Sequence, residues 1–258
     1  MPEFMEAGLK WIWCRHPAAE CCGERMKLAG WLATIVLTGA LTAAEPTARP
    51  GRTLYADAFN GGLTQWVIEQ QPGGTVTVRD GALIIDDQGG CTVWFRPRLE
   101  APVVITYEAT MSSASRVSDL NCFWMASDPA RPDDLFSAGH ARNGRFAAYD
   151  TLRTYYVGYG GNGNTTTRFR RYDGSGARPL DPEHDLGTPG LLLQPDHAYR
   201  ITLIAMTDGR VQFIRDGEVI FDVRDPTPLT SGWFGFRTVH SRIEFRNFRV
   251  CVAEPVGK

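Results

Sequence analysis

From Leu54 onward, short runs of apolar and β-branched residues alternate with clusters of Gly, Asp, Asn and Pro. Such runs predict β-strands, and the residues between them predict turns. The strands predicted in this way are Thr75–Val78, Ala82–Ile85, Thr92–Phe95, Val103–Met111, Asn121–Ala126, Arg153–Tyr159, Thr166–Tyr172, Tyr199–Met206, Arg210–Arg215, Glu218–Val223, Gly232–Val239 and Ile243–Val250. After residue 50, no stretch of the sequence repeats its apolar residues with a helical period. The pattern therefore predicts one all-β domain, a sandwich or a barrel.

Turn residues sharpen this prediction. Three Asp-Gly pairs, each between two predicted strands, are Asp80-Gly81, Asp208-Gly209 and Asp216-Gly217. Asp-Gly between strands is a strong signal for a two-residue hairpin. The glycine- and asparagine-rich stretch 160–164 predicts another hairpin loop, because both residue types accept positive φ. In the last strand the alternation slips by one residue near Asn247, which predicts a β-bulge.

The N-terminal region has a different pattern. A lysine precedes the apolar run 28–41, which is followed by small residues up to Ala44. This arrangement is typical of a secretory signal peptide, and the run is shorter than the ~20 residues that a membrane-spanning helix needs. We expect residues 26–44 to be a cleaved signal peptide and residues 1–25 to be an upstream extension from a mis-assigned start codon. The mature domain, 45–258, is then periplasmic or extracellular, without a membrane span.

The net charge narrows the set of possible partners, and the cysteine count limits the possible disulfides. The formal net charge is −2, and it stays −2 without residues 1–44, which hold four basic and four acidic residues. Because nucleic-acid binding needs a basic surplus or patch, we expect no nucleic-acid partner; we also expect a monomer without a cofactor. The mature chain keeps Cys91, Cys122 and Cys251. This odd number permits at most one internal disulfide, and we expect at least one buried thiol.

Several stretches resemble a known superfamily. The opening Tyr55–Trp66 (YADAFNGGLTQW), residues 78–85 and the closing Phe236–Val250 resemble secreted concanavalin A-like (lectin/glucanase) domains. The segment Arg153–Tyr172 (RTYYVGYGGNGNTTTRFRRY) is similar to uncharacterised bacterial secreted domains of that superfamily, a group similar to proteins found beside pectin and rhamnogalacturonan degradation genes. The resemblance implies a jelly-roll β-sandwich of two curved antiparallel sheets, a groove on the concave face, and a polysaccharide or oligosaccharide partner.

The superfamily resemblance also implies where carboxylates and calcium would lie. Its retaining glucanases carry a Glu-x-Asp-x-x-Glu or Glu-x-Asp-x-Glu strand, which this sequence lacks. A glycoside hydrolase would therefore need a carboxylate pair from separate strands, with Glu108 or Asp150 as candidates. Some relatives hold a structural Ca²⁺, for which Asp57 and Asn247 are the candidate ligands here.

The central region instead is rich in aromatic, basic and amide side chains. Aromatic faces stack on sugar C–H surfaces, and planar Arg and Asn donors reach hydroxyls and carboxylates. Arginine in particular matches the carboxylate of a uronic acid. The predicted substrate-binding residues are Asn121, Trp124, Tyr149, Arg153, Asn164, Arg168, Arg170 and Arg237.

The same residue types fit a polysaccharide lyase. Such an enzyme neutralises the uronate carboxylate, removes the C5 proton and protonates the leaving oxygen. Arg153 or Arg237, with Asn121, would hold the carboxylate. The predicted catalytic residues are His140 or His240 as the base and Tyr155 or Tyr156 as the acid. We therefore expect a lyase acting on an acidic polysaccharide, with a non-catalytic glycan-binding module and the hydrolase as the alternatives.

Overall fold

The computed structural model describes residues 44–137 and 142–257. The predicted upstream extension, the signal peptide up to residue 43, and His140 lie outside the described residues. No helix of the described residues is long and apolar enough to cross a membrane.

Sixteen strands form nearly all of the regular structure in the described ranges. They are β1 Ala48–Asp57, β2 Trp66–Gln70, β3 Thr75–Arg79, β4 Ala82–Asp86, β5 Cys91–Phe95, β6 Leu99–Glu100, β7 Val103–Met111, β8 Leu120–Ser127, β9 Arg153–Gly160, β10 Thr166–Asp173, β11 Asp185–Leu186, β12 Ala198–Ala205, β13 Arg210–Arg215, β14 Glu218–Arg224, β15 Ser231–Thr238 and β16 Arg242–Pro255. Short 3₁₀ helices occur at Phe146–Tyr149, Pro182–His184 and Pro189–Leu191, and a helical turn at Gly161–Asn164.

The strands form two antiparallel sheets. The first sheet has the order β14-β13-β12-β7-β16-β4-β3, with β1 also paired to β16. The second sheet has the order β11-β10-β9-β8-β15-β5-β2, with β6 also paired to β15. The predicted all-β jelly-roll sandwich of two antiparallel sheets is therefore confirmed.

Two of the three predicted Asp-Gly turns and the bulge are confirmed as well, whereas Asp208-Gly209 belongs to a longer loop between β12 and β13. Asp80-Gly81 joins β3 to β4, with φ values of 53° and 70°. Asp216-Gly217 joins β13 to β14 with φ values of 52° and 88°, both in the left-handed region that a type I′ hairpin requires. The pairing of β16 with β7 shifts register around Asn247, whose φ is 54°.

Two apolar layers lie on opposite sides of the second sheet. The inner layer fills the space between the sheets and contains stacked aromatic pairs such as Phe236 and Phe245, whose ring centroids are 3.9 Å apart. The outer layer lies between the sheet and the described parts of the connection from β8 to β9, residues 128–137 and 142–152. We call this segment the β8–β9 connection and the sheet surface beneath it the outer face. Part of the outer face remains uncovered, and the candidate site lies there.

The three cysteines of the described residues are buried free thiols in the strands. Cys91 belongs to β5, Cys122 to β8 and Cys251 to β16. Burial raises the pKa of Cys122 from its ordinary value to about 12. The Cys122 thiol therefore remains protonated at neutral pH, and all three buried cysteines act as small apolar residues of the core.

Candidate functional site

Four neighbouring strands bring polar side chains together on the outer face. The strand register aligns Arg168 of β10 with Gly158 of β9, Gly158 with Asn121 of β8, and Asn121 with Arg237 of β15. Because side chains alternate between the two faces of a strand, this row lies on the face opposite to Cys122 and Val157, which belong to the inner layer.

The row forms the floor of a pocket of about 250 Å³. Its polar and charged lining consists of Asp119, Asn121, Tyr156, Asn162, Thr166, Arg168, Arg170, Arg178 and Arg237. We call this site the arginine pocket. Phe146, Gly158, Gly161 and Val239 complete the lining.

Arg237 is the deepest charged group of the pocket, with 1% of its surface exposed. Its Nη1 donates to Thr92 Oγ1 at 2.9 Å and to the Gly144 carbonyl at 3.0 Å. The guanidinium carbon lies 4.9 Å from the ring centroid of Phe146 and 5.0 Å from that of Tyr149. Its Nε and Nη2 have no hydrogen-bond partner among the described residues. A buried charged donor without a partner is costly, so the N–H groups on these two nitrogens are available to a ligand.

Asn121 supplies a complementary acceptor beside Arg237. It is 3% exposed, and its Nδ2 donates to Asp119 Oδ1 over a long 3.4 Å. Its Oδ1 has no partner among the described residues. The floor of the pocket therefore offers unpartnered donors and an unpartnered acceptor side by side, an arrangement suited to a ligand that carries both an anionic group and hydroxyls.

Ion pairing leaves the pocket with positive charge in excess. Arg168 pairs with Asp185 through two bonds of 2.7 and 2.9 Å, and Arg178 pairs in the same way with Asp150 at 2.8 Å. The lining carboxylate, Asp119, is paired with Arg116 outside the pocket at 2.8 Å. The other two lining arginines, Arg170 and Arg237, have no carboxylate oxygen within 4.0 Å among the described residues. The site is therefore electrostatically suited to an anion.

Tyr156 and Gly158 shape the floor between the arginines. Tyr156 is 6% exposed, and its ring packs 4.9 Å from Phe123 and 5.5 Å from Phe146. Burial raises its pKa well above the ordinary value, so the hydroxyl is protonated at neutral pH. A Cβ atom at Gly158 would lie 3.2 Å from the Tyr156 ring and hydroxyl. The glycine thus leaves room for the tyrosine over the strand.

The β8–β9 connection forms one end wall of the pocket. Phe146 lies at this end, and the guanidinium of Arg178 lies 4.6 Å from its ring centroid. The connection is fixed to the sheet by Arg142, which is 8% exposed. Arg142 Nη2 lies 3.1 Å from Glu69 Oε1, and its Nη1 lies 3.7 Å from Asp128 Oδ2. The wall is therefore held by a buried ion-pair cluster.

Five of the predicted site residues meet in this pocket: Asn121, Tyr156, Arg168, Arg170 and Arg237. Tyr149 lies next to them but is buried beneath the β8–β9 connection, stacked 5.4 Å from Phe123. The Tyr149 ring packs against the Arg237 guanidinium on the side that the β8–β9 connection covers. It is therefore not exposed at the pocket opening.

Tyr155 and Trp124 point in the opposite direction, into the inner layer, with their ring centroids 5.6 Å apart. Tyr155 donates to Asp225 Oδ2 at 2.7 Å and accepts from the Leu229 amide at 2.9 Å. The physical reason is strand alternation, which places consecutive residues such as Tyr155 and Tyr156 on opposite faces. The structure therefore corrects the expectation that Trp124 lines the site, and of the two tyrosines offered as the acid only Tyr156 lines the pocket.

Three other predicted residues lie outside the arginine pocket. Arg153 is exposed and donates from Nε to the Asp173 carbonyl at 3.3 Å. Asn164 connects the β9–β10 turn to Leu193 through bonds of 2.8 and 2.9 Å. His240 is exposed in the turn after β15, with a φ of 53°.

The candidate metal ligands and Glu108 are not among the lining residues of the pocket, whereas Asp150 pairs with the lining residue Arg178. Asp57 accepts from the Phe59 amide at 2.8 Å and from Trp66 Nε1 at 2.9 Å. Asn247 donates to Glu108 Oε2 at 2.9 Å. The described residues contain no group of three or more His, Cys, Asp or Glu suited to a metal ion. Calcium binding at Asp57 and Asn247 stays a prediction.

Sequence reasoning missed Arg178, Gly158 and Phe146. Arg178 follows β10 in an irregular segment, and Phe146 lies in a short 3₁₀ helix of the β8–β9 connection. Neither position has a periodic signal that relates it to the sheet. Gly158 could have been found, because a glycine inside a strand often marks a close approach of a side chain or a ligand.

The fold is similar to that of several solved structures. A protein of unknown function with a galectin-like fold from Bacillus subtilis is 22% identical, with a TM-score of 0.66 over 81% of this chain and 100% of that chain. A carbohydrate binding module, CBM66, from Bacillus subtilis is 14% identical, with a TM-score of 0.51 over 73% of this chain and 96% of that chain. An endo-beta-1,3-glucanase from Pyrococcus furiosus is 11% identical, with a TM-score of 0.51 over 82% and 100%. At these identities the likeness establishes the fold alone.

No curated protein matches the sequence. One family model does match, over residues 85–248, which is more than half of the 258 residues. The matched range includes β8, β9, β10 and β15, and thus every residue that lines the arginine pocket. The chain belongs to the family described as "Domain of unknown function (DUF6250)".

Proposed function

We propose that this protein is an exported glycan-binding protein whose arginine pocket recognises the carboxylate of an acidic sugar. The observation that carries the proposal is the pair Arg237 and Asn121: both residues line the pocket, and the buried Nε and Nη2 of Arg237 and Oδ1 of Asn121 have no hydrogen-bond partner among the described residues. A uronate offers a carboxylate for the guanidinium fork and hydroxyls for the amide oxygen.

Two further observations support a glycan as the ligand. The excess positive charge of Arg170 and Arg237 favours an anion, and the apolar rings of Tyr156 and Phe146 offer surfaces for sugar C–H groups. The fold is similar to that of a protein titled as a carbohydrate binding module and one titled as a glucanase. Export rests on the signal peptide predicted at residues 26–44.

β-Elimination is the second candidate, and the observation behind it is that Tyr156 and Arg237 line the same pocket. The tyrosine would protonate the leaving oxygen while the arginine neutralises the carboxylate. Of the acid–base groups expected for a lyase, Tyr156 alone lines the pocket among the described residues. Its raised pKa favours the protonated form, so it cannot also serve readily as the base. Binding without reaction therefore ranks first.

The test compares sugars that differ only in the carboxylate. Galacturonate and glucuronate are titrated into the protein by calorimetry, alongside galactose and glucose. We expect the uronates to bind at least about tenfold more tightly than the neutral sugars, because a charge-assisted bidentate pair is worth roughly 1.5–3 kcal/mol. Equal affinity for both sets, or binding of neither uronate nor its oligomers, would contradict the proposal. A rise in ultraviolet absorbance from an unsaturated product would replace it by the lyase.

Variants of the floor make the test specific. Asn121→Asp is isosteric and puts a carboxylate beside Arg237, so it should lower uronate affinity about tenfold or more while leaving the neutral sugars nearly unaffected. Arg170→Gln should act in the same direction. The matched control is Arg200→Gln, which removes one positive charge from the exposed surface of β12 in the first sheet and should leave uronate binding unchanged.

A further inference from the structure

The outer face of the second sheet is open on one side of Phe146 and closed on the other. On the closed side, Trp94 and Phe123 are fully buried, and Trp233 is nearly so. They are covered by Leu135 and other residues of the β8–β9 connection. A glycan that enters the arginine pocket therefore meets a wall at Phe146, and the described residues leave no continuous groove along the rest of the outer face.

The wall is a fixed part of the fold. The Gly144 carbonyl accepts a bond from Arg237 at 3.0 Å, and a Cβ atom at Gly144 would lie only 2.2 Å from the Gly90 carbonyl oxygen. The backbone of the connection thus lies directly against the end of β5. Arg142 adds the buried ion pairs with Glu69 and Asp128. Both anchors, the Gly144 carbonyl and the Arg142 side chain, lie just before Phe146 in the chain and hold the wall there.

The size of the pocket also limits how much of a glycan it can hold. Its volume of about 250 Å³ lies just below the ~300–1,000 Å³ of pockets that enclose drug-sized ligands. One sugar ring fits such a space, whereas a run of several linked rings needs an open groove. At the end of the pocket away from Phe146, Gly161 and Asn162 of the β9–β10 turn are only partly buried or exposed, and this end is where a glycan can leave.

From the wall, its anchors and the volume, we infer that the arginine pocket receives the terminal residue of an acidic glycan chain, and not an internal segment. This inference rests on the proposed function, because it places a uronate against Arg237 and Asn121. It adds that Phe146 determines this specificity: its ring occupies the position that the next sugar of a continuing chain would need.

The experiment uses hexamers of galacturonate and of glucuronate with one end altered at a time. In one probe the reducing-end residue is reduced to the open-chain alditol, and in the other the non-reducing residue carries a double bond. Calorimetry measures the affinity for each probe and for the unaltered hexamer. We expect one of the two alterations to lower affinity about tenfold or more, and the polymer to bind one protein molecule per chain. Equal affinity for all three hexamers, or several protein molecules per polymer chain, would overturn the inference.

Variants of the connection provide a second measurement. Phe146→Ala removes the wall, and we expect the protein to bind the polymer at more than one site per chain. Phe136→Ala is the matched control, because Phe136 belongs to the same connection but packs on Trp233, 5.9 Å away and outside the pocket. It should keep one protein per chain. Unfolding midpoints verify that both variants are folded. If no uronate probe of any length binds the unaltered protein, the proposed function fails; if uronates bind without dependence on chain ends, only the present inference fails.

Discussion

The outer face of the second sheet has a covered half and an open half, and the same strands build both. On β8, Asn121 belongs to the open half and Phe123, two residues later on the same face, to the covered half. On β15, Arg237 and Trp233 are divided in the same way. The covered half is aromatic and dry, whereas the open half is rich in arginine and amide groups.

The difference shows how one strand serves stability and binding at once. Each aromatic residue of the covered half buries roughly 150–250 Å² and contributes several kcal/mol in area terms. The ion pairs of the open half contribute little in comparison, because exposed pairs such as Arg168–Asp185 are worth about 0–1 kcal/mol. Substitutions in the covered half should therefore change the free energy of unfolding, and substitutions in the open half should change the affinity for uronates.

The largest expected effect comes from the anchor of the covered half. Arg142→Ala removes the buried cation that pairs with Glu69, and loss of one partner of a buried ion pair costs about 3–5 kcal/mol. Chemical denaturation should detect this as a lower free energy of unfolding. Arg145→Ala, an exposed arginine of the same connection, should change it by less than about 0.5 kcal/mol. Similar values for the two variants would show that the ion pairs do not hold the connection.

A pair of variants on β8 compares the two halves directly. Phe123→Ala creates a cavity among Trp94, Tyr149 and Tyr156 and should lower the free energy of unfolding by about 3–5 kcal/mol. Asn121→Ala removes only a long bond to Asp119 and should cost less than about 1 kcal/mol, yet it should reduce uronate binding. Denaturation and calorimetry on both proteins test the division. A large stability loss in Asn121→Ala would show that the open half also supports the fold.

The sequence was sufficient for the fold because strand signals are local. Alternation, two of the three Asp-Gly turns and the slip at Asn247 each depend on a few neighbouring residues, and the structure confirms them. Asn121, Tyr156, Arg168, Arg170 and Arg237 could be named because their strands were recognised. Arg178 and Phe146 could not, because irregular segments bring them to the sheet through contacts distant in sequence.

Alternation also shows where sequence reasoning about the site fell short. Tyr155 and Tyr156 are chemically identical in the sequence, and only the register of β9 against β8 decides which one faces the pocket. The apolar pattern of β9 gave no clear answer, because both of its faces are buried: one by the first sheet, the other by the β8–β9 connection. A strand with two covered faces has no polar side to reveal its orientation.

Tyr155→Phe tests this assignment. The change removes the bond to Asp225 and leaves the Leu229 amide without its acceptor, so the free energy of unfolding should fall by about 1–3 kcal/mol. Uronate binding should stay the same, because the hydroxyl lies in the inner layer. Tyr55→Phe, an exposed tyrosine of β1, is the control and should be neutral within about 0.5 kcal/mol. A loss of uronate binding in Tyr155→Phe, with an unchanged free energy of unfolding, would show that Tyr155 belongs to the binding site.

The smallest effect on stability should come from Gly158→Ala, in the floor of the open half. Its Cβ would lie 3.2 Å from the Tyr156 ring, which needs to move by only a few tenths of an ångström. We therefore expect the free energy of unfolding to change by less than about 0.5 kcal/mol. The added methyl group occupies the pocket floor, so uronate affinity should fall about three- to tenfold by calorimetry. Gly61→Ala, whose Cβ would meet no atom within 4 Å, is the control. Unchanged affinity in Gly158→Ala would mean that the sugar does not reach the floor between Asn121 and Arg168.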